Sequence, residues 1–359
     1  MTDQNVNAGM EEQDPYAGVV WRDGFELTVE GLGWTEDAGS YARLPKRAEG
    51  KVDEGVWGRS RGPVGVSVRF VTDATDIYVR WRLAGEPSPG PHETVLATSG
   101  VDCYGRAEDG RWLWVGKQDP WRLPESDGKL NQTALDGALR EYRVYLPKAS
   151  EVSRLEVGIH EQFRFEPGET DDRPPIVVYG TSICHGVGAT RPGMAWPSIM
   201  QRRLDYPLIN LGFGGNGRME PEVMEFINEL DYRLLIVDCL PNMGLENITT
   251  NGPALVKSVR QTHGDVPILF VSDRLFGDAA FQPERLKTQM GKSGCQKRFV
   301  QRFVEAGDRN LHLIEPANYF GDDHEGTVDG SHPTDLGAMR MADVVEPYVR
   351  RILGIGDGD

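Results

Sequence analysis

The sequence predicts an α/β protein in two parts. An antiparallel β-sandwich or jelly roll is expected over residues 19–170, behind a polar tail at 1–18. A three-layer α/β/α domain with a parallel sheet is expected over 171–359. Three observations carry this reading. At 359 residues the chain exceeds an average single domain. Up to about residue 165 it is a series of short strand-like runs between Pro and Gly clusters. Beyond residue 175, short apolar runs without alternation take turns with helical stretches.

In the first part, Val64–Phe70, Asp76–Leu83, Glu93–Val101, Arg111–Val115, Glu141–Tyr145 and Leu155–Ile159 are rich in Val, Trp, Tyr and Leu, and several alternate apolar with polar. Turn clusters such as Gly85-Glu86-Pro87-Ser88-Pro89-Gly90 separate them. Many short strands with little helical periodicity indicate a sandwich or jelly roll. The acidic stretch Glu166–Pro175 is expected to be a linker. In the second part, Ile176–Tyr179, Leu208–Leu211, Leu234–Leu240, Ile268–Val271 and Leu311–Ile314 read as strands buried on both faces. Between them, Trp196, Ile199, Met200 and Leu204 share one helical face, as do Val223, Phe226, Ile227 and Leu230. Strand and helix in alternation give a parallel sheet, whose ligands bind beyond the carboxyl ends of the strands.

Composition narrows the function. Hydrophobic residues make up 39% of the chain, enough for a core in each part, and the net charge is -16. A nucleic acid or an anionic membrane surface needs a cationic face, so neither is an expected partner. Met1–Gly18 has neither a basic nor an apolar leader region, and no apolar run approaches a membrane span. Cys103, Cys184, Cys239 and Cys295 are scattered without metal-type spacing, as free thiols of a reducing compartment would be. A cytoplasmic protein without metal or other cofactor is expected.

Four short segments of the second half bring chemistry together: Gly180-Thr181-Ser182, Asn210-Leu211-Gly212-Phe213-Gly214-Gly215, Pro241-Asn242 and Asp329-Gly330-Ser331-His332. Ser182 follows the first buried strand and is expected to open a helix, where backbone N–H groups favour developing negative charge. An ordinary helix-capping serine fits that position equally well. His332 is the candidate base, and Asp329, three residues earlier, can curl back onto its Nδ1 and fix the tautomer. A loop Asp capping the last helix (Leu336–Leu353) is the plain alternative. Gly215 can bring a backbone N–H close to an oxyanion and Asn242 can offer its side-chain amide. A flexible turn accounts for the glycines otherwise. His185 lies near Ser182 in sequence but is expected to point along the helix, and is a candidate for touching substrate rather than for the base.

The combination resembles the SGNH (GDSL-type) hydrolase superfamily, whose four blocks supply Ser, Gly, Asn and an Asp-x-x-His pair. By position Ser182 matches the nucleophile, Gly215 and Asn242 the oxyanion donors beside the Ser182 N–H, and Asp329 with His332 the final block. Thr181 stands where the family usually has Asp, and Leu240–Met243 departs from G-x-N-D. One branch of the superfamily carries G-[ST]-S and Asp-Cys-Leu-Pro-Asn-Met instead, and Asp238–Met243 is identical to the latter. That branch also has an N-terminal β-sandwich marked G-x-D-L-Y, which Gly100-Val101-Asp102-Cys103-Tyr104 matches except at Cys103.

The resemblance implies an SGNH, flavodoxin-like catalytic domain and a serine esterase cleaving a short acyl group, acetyl above all, from a carbohydrate or glycoside. The alternatives are an acyltransferase drawing on a thioester donor such as acyl-CoA, and a non-catalytic glycan-binding protein. The sandwich would lie beside the active-site mouth, with Asp102 and Tyr104 as candidates for reaching substrate. A strand end with a core-facing Tyr is the plain alternative for that pair. Trp112, Trp114 and Trp121 could stack on a sugar, against a commoner fate in the core.

Overall fold

The computed structural model describes residues 14–87 and 89–356, so most of the tail expected over 1–18 lies outside the described residues. Ten strands precede the α/β unit. They are β1 (Val19–Asp23), β2 (Thr28–Glu30), β3 (Ser67–Thr72), β4 (Tyr78–Leu83) and β5 (Val101–Arg106), then β6 (Trp112–Gln118), β7 (Glu125–Lys129), β8 (Arg140–Tyr145), β9 (Val152–His160) and β10 (Phe165–Pro167). Every pairing among them is antiparallel. One sheet runs β1-β9-β4-β7 and the other β10-β3-β8-β5-β6, with β2 alongside β3. Val68, Phe70 and Val144 from one sheet and Val79, Trp81 and Val157 from the other share one apolar cluster.

Among the described residues two α-helices interrupt this part, α1 (Glu54–Ser60) and α2 (Val95–Ser99). The second corrects the strand expected over Glu93–Val101. Val95, Leu96 and Ala97 do not alternate with polar residues, and Thr94 Oγ1 caps the turn by accepting the Ala97 N–H at 3.0 Å. Extended chain resumes only at Val101. The acidic linker also begins later than expected, because Phe165–Pro167 pairs with β3.

The second unit has five parallel strands: β11 (Ile176–Gly180), β12 (Leu208–Gly212), β13 (Leu234–Asp238), β14 (Ile268–Val271) and β15 (Leu311–Ile314). Alternate residues of each strand feed two apolar layers. Val177, Tyr179, Leu235 and Val237 face α4 (Pro221–Ile227), α5 (Leu245–His263) and α6 (Pro283–Glu305). Ile176, Val178, Leu234 and Ile236 face α3 (Trp196–Leu204) and α7 (Asp335–Leu353). Burial on both faces is why β11 to β14 carry no polar alternation, while the edge strand β15 is half-buried at His312 and Leu313.

The strand order is β12-β11-β13-β14-β15. The chain passes from β11 to β12 on one side and then from β12 back past β11 to β13 on the other, and this reversal of strand order opens a crevice beyond the carboxyl end of β11. Gly180, Gly212 and Asp238 end their strands side by side in register there. The division near residue 170 is crossed by one segment, since Leu44, Ala48, Val52 and Val56 pack into the α/β core. Among the described residues no helix is long and apolar enough to cross a membrane.

Candidate active site

The chain leaves β11 through Thr181 and turns at once, without the helix expected after Ser182. His185 N–H donates to Thr181 O at 3.0 Å and Val187 N–H to Ser182 O at 3.0 Å. Gly186 and Gly188 then take positive φ, which ends any helical run. The local donors at Ser182 are therefore backbone N–H groups of a tight turn rather than a helix end. Asn210 holds this turn against the next strand. Its Nδ2 donates to Cys184 O at 2.8 Å and its Oδ1 accepts the Gly212 N–H at 2.9 Å.

The Ser182 hydroxyl lies 2.8 Å from His332 Nε2, and His332 Nδ1 lies 2.7 Å from Asp329 Oδ2. Asp329 also accepts the Ser331 and His332 backbone N–H groups at 2.9 and 2.8 Å through Oδ1. It does not cap α7, a role filled by Thr334, whose Oγ1 accepts from Gly337 N. Burial raises the Asp329 pKa, but the His332 N–H, its imidazole and the Ser331 N–H outweigh that and hold the carboxyl below its ordinary value. A carboxylate that stays ionised can orient His332 and balance an imidazolium.

Gly214, Gly215 and Asn242 line the same cleft as Ser182 and His332, a cavity of about 790 Å³. Among the described residues no acceptor takes the N–H of Ser182 or Gly215. Asn242 Nδ2 donates one proton to Asn216 O at 2.6 Å, which aims the amide and leaves its second proton for the cleft. Gly217 shapes this loop. Its φ is +71°, and a Cβ there would lie 2.1 Å from Gly180 O. Gly217→Ala is expected to destabilise the fold by about 1–3 kcal/mol, read as a lower urea midpoint with unchanged m.

His185 faces the cleft but is committed elsewhere. It is buried, and its Nε2–H donates to Lys148 O at 3.1 Å. Burial first, then the nearby charges of Arg43 and Lys148, push its pKa well below the ordinary imidazole value, so it is a neutral bridge to the sandwich. Asp102 and Tyr104 are placed differently from the expectation, because neither lines the cleft. Asp102 is buried and accepts from Arg191 Nη1 at 2.8 Å and from Gly193 N at 2.9 Å. Arg191 also donates to the Tyr104 hydroxyl, and Arg202 stacks 3.9 Å from that ring's centroid. The pair clamps β5 onto the loop before α3, so the motif serves as a joint between the units. Trp112 is buried and Trp114 and Trp121 are exposed, but none of the three lines the cleft.

Several residues at the site carry no local signal in the sequence. Arg43 is fully buried and donates to four backbone carbonyls, those of Gly62, Asn210, Gly212 and Arg59, at 2.7, 3.0, 2.8 and 2.5 Å. It ties the segment around α1 to the strand end below Gly214. Burial lowers its pKa to about 9. Arg59, from the end of α1, lines the cleft and extends its Nε to 3.4 Å from Gly214 O. His92 reaches Asp329 Oδ2 at 3.5 Å. Among the described residues no group of three or more His, Cys, Asp or Glu is arranged to hold a metal ion.

Comparison with known proteins agrees with this architecture. Residues 173–350 match the GDSL-like Lipase/Acylhydrolase family, and residues 19–165 match GxDLY, the N-terminus of SGNH-hydrolase-type esterases. No curated protein matches the sequence. Among solved structures, a GDSL-like lipase of Bacteroides ovatus ATCC 8483 superposes with TM-score 0.88 at 30% identity, covering 94% of this chain and 99% of that one. The salicylyl-acyltransferase SsfX3 of a tetracycline biosynthetic pathway gives 0.75 at 20% identity, covering 94% and 98%. A family two carbohydrate esterase of Clostridium thermocellum, in complex with cellohexaose, gives 0.56 at 14%, covering 81% and 93%. At those lower identities the likeness is one of fold. The chain belongs to the GDSL-like lipase/acylhydrolase family, with the GxDLY sandwich of SGNH-type esterases before its catalytic unit, and is an enzyme of that family.

Proposed function

We propose that the protein is a serine esterase that removes a short acyl group, acetyl above all, from a carbohydrate or glycoside through a covalent acyl-enzyme. The observation that carries this reading is the continuous hydrogen-bonded chain Ser182–His332–Asp329, opening into a cleft that also holds Gly215 and Asn242. His332 Nε2 takes the hydroxyl proton as Ser182 Oγ attacks the ester carbonyl, and Asp329 stabilises the imidazolium. The carbonyl oxygen becomes an oxyanion facing the N–H groups of Ser182 and Gly215 and the Asn242 amide. His332 returns its proton to the departing alcohol, leaving the acyl group on Ser182. Water, deprotonated by His332, then releases the free acid and restores the hydroxyl.

The cleft wall supports a hydroxyl-rich alcohol. Arg59, Arg61, Glu86, Glu93, Ser150 and Glu151 line it, all from the N-terminal unit and all able to hydrogen-bond sugar hydroxyls. The family two carbohydrate esterase with its bound cellohexaose has a related fold. A second reading keeps the acyl-enzyme and replaces water by an alcohol acceptor, with acyl supplied by a thioester such as acyl-CoA. The fold shared with a salicylyl-acyltransferase over 94% of this chain favours it. Four unpaired, buried cysteines suit the reducing cytoplasm, which holds such donors.

Product analysis separates the readings. The protein is incubated with acetylated glycosides, and with an acyl thioester plus a panel of hydroxylated acceptors. Free acid and deacetylated sugar are expected, whereas acylated acceptor in place of free acid would establish transfer. Glycan binding without turnover of any ester would overturn both. Asn242→Ala is expected to lower kcat by about 10²–10³ with little change in KM, the size of losing one oxyanion donor. Initial rates on a short-chain aryl ester check this, and an unchanged kcat would remove Asn242 from the oxyanion site.

A further inference from the structure

We infer that His92, supplied by the N-terminal unit, is a positioning residue for the Asp329–His332 pair, so that ester cleavage depends on both units; this rests on the function proposed above. Asp329 Oδ1 is occupied by the two backbone N–H groups of Ser331 and His332. Oδ2 receives His332 Nδ1 at 2.7 Å and is approached from a second side by His92 Nε2 at 3.5 Å. The two imidazoles lie 28° from parallel, with centroids 6.3 Å apart, and each presents a ring nitrogen to Oδ2.

This approach is built rather than incidental. Glu93, next in sequence, is paired with the buried Lys148, and its Oε2 accepts the Gly90 N–H at 3.1 Å. Thr94 caps α2 and donates its hydroxyl to Thr190 O at 2.6 Å. Thr190 in turn donates its N–H and hydroxyl to Asp335, in the first turn of α7, at 2.9 and 2.5 Å. The segment carrying His92 and the segment carrying His332 are thus tied through one residue of the α/β unit. Side chains so braced hold a catalytic geometry that loops alone do not.

The physical role follows from the carboxylate's position. Asp329 is partly exposed, and a carboxylate with one side open exchanges that side with water and turns about its Cβ–Cγ bond. A donor on the open side of Oδ2 opposes that rotation and keeps the oxygen on His332 Nδ1. The His92 contact at 3.5 Å lies outside hydrogen-bond geometry in this structure, and catalytic contacts that are long in a free enzyme often tighten with substrate in place. Misplacement of reacting groups by about 1 Å can cost about 10²-fold in rate.

The test uses the full chain and a short-chain aryl acetate. His92→Ala is expected to lower kcat about tenfold with KM nearly unchanged, as loss of positioning does. His92→Gln, whose amide N–H can replace Nε2–H, is expected to recover most of the loss. In a cycle with Asp329→Asn, the double variant should be about as slow as Asp329→Asn alone. The low-field proton resonance of His332 Nδ1–H should shift or broaden in His92→Ala. Unchanged kcat in His92→Ala, equal losses in His92→Ala and His92→Gln, or losses that multiply in the double variant would each overturn the inference. If Ser182→Ala stays as active as wild type, the underlying function fails instead. If Ser182→Ala is inactive while His92→Ala is as fast as wild type, only the role of His92 fails.

Discussion

Ser182→Ala is expected to lower kcat for a short-chain aryl ester by about 10⁶, the loss typical when a triad nucleophile is removed. The fold should be untouched, because among the described residues the hydroxyl hydrogen-bonds only to His332. Far-ultraviolet dichroism and the urea midpoint should match wild type. His332→Ala should be about as slow, and the Ser182→Ala/His332→Ala double variant little slower than either, because the groups act as one unit. Initial-rate kinetics measure all three. Retention of most activity in Ser182→Ala would place the chemistry elsewhere, and independent, multiplying losses would mean that serine and histidine act in separate steps.

The second large effect concerns stability. Arg274 and Asp238 are both fully buried and paired, Arg274 Nη2 donating to Asp238 Oδ1. Asp238 Oδ2 also accepts from Cys184 Sγ at 3.2 Å, and the buried Asp273 lies close enough to favour the Arg274 charge. Arg274→Met removes the cation that is hydrogen-bonded to Asp238, leaving its carboxylate in a low dielectric. Such a change costs about 3–5 kcal/mol. Urea unfolding should show it, with the midpoint lowered and m unchanged. Pairing Arg274→Met with Asp238→Asn should recover part of the loss, since the second change removes the stranded charge. A cost below about 1 kcal/mol for Arg274→Met would mean that water reaches the pair and that it is not sealed beneath the sheet's end. The same variant should also slow catalysis. Asp238 stands level with Gly180 in register and holds Cys184, two residues beyond Ser182.

Which parts of this arrangement were legible in the sequence follows from how local their causes are. β14 and β15 coincide with the expected Ile268–Val271 and Leu311–Ile314; burial on both faces gives β14 an unbroken apolar run, whereas the edge strand β15 keeps three apolar residues around the half-buried His312. β7 (Glu125–Lys129) gives no such signal. Its Glu-Ser-Asp-Gly-Lys is extended because it pairs with the edge of β4, a cause that lies elsewhere in the chain. The missing helix after Ser182 follows from Gly186 and Gly188, whose positive φ is a tertiary choice that glycine permits but does not announce.

The candidate site divides in the same way. Ser182, Asp329, His332, Gly215 and Asn242 were named from short motifs, and four of the five line the cleft while Asp329 meets His332 from behind. Asp102 and Tyr104, open to either a substrate contact or a core-facing strand end, are buried against Arg191, since a motif does not reveal which neighbour a strand faces. Arg43 and His92 sit in segments that resemble solvated loop, and their partners at Asn210, Gly212 and Asp329 are far along the chain. Long-range partners of that kind leave no periodicity to find.

The proposed catalysis depends on one covalent event, the transfer of an electrophile to the Ser182 oxygen with His332 as base. Reaction of the full chain with a fluorophosphonate, followed by intact mass and peptide mapping, tests it directly. One phosphonyl group per chain on Ser182 is expected, with labelling lost in Ser182→Ala and strongly slowed in His332→Ala. No adduct on wild-type protein, or an adduct on another residue at the same rate in both variants, would contradict it.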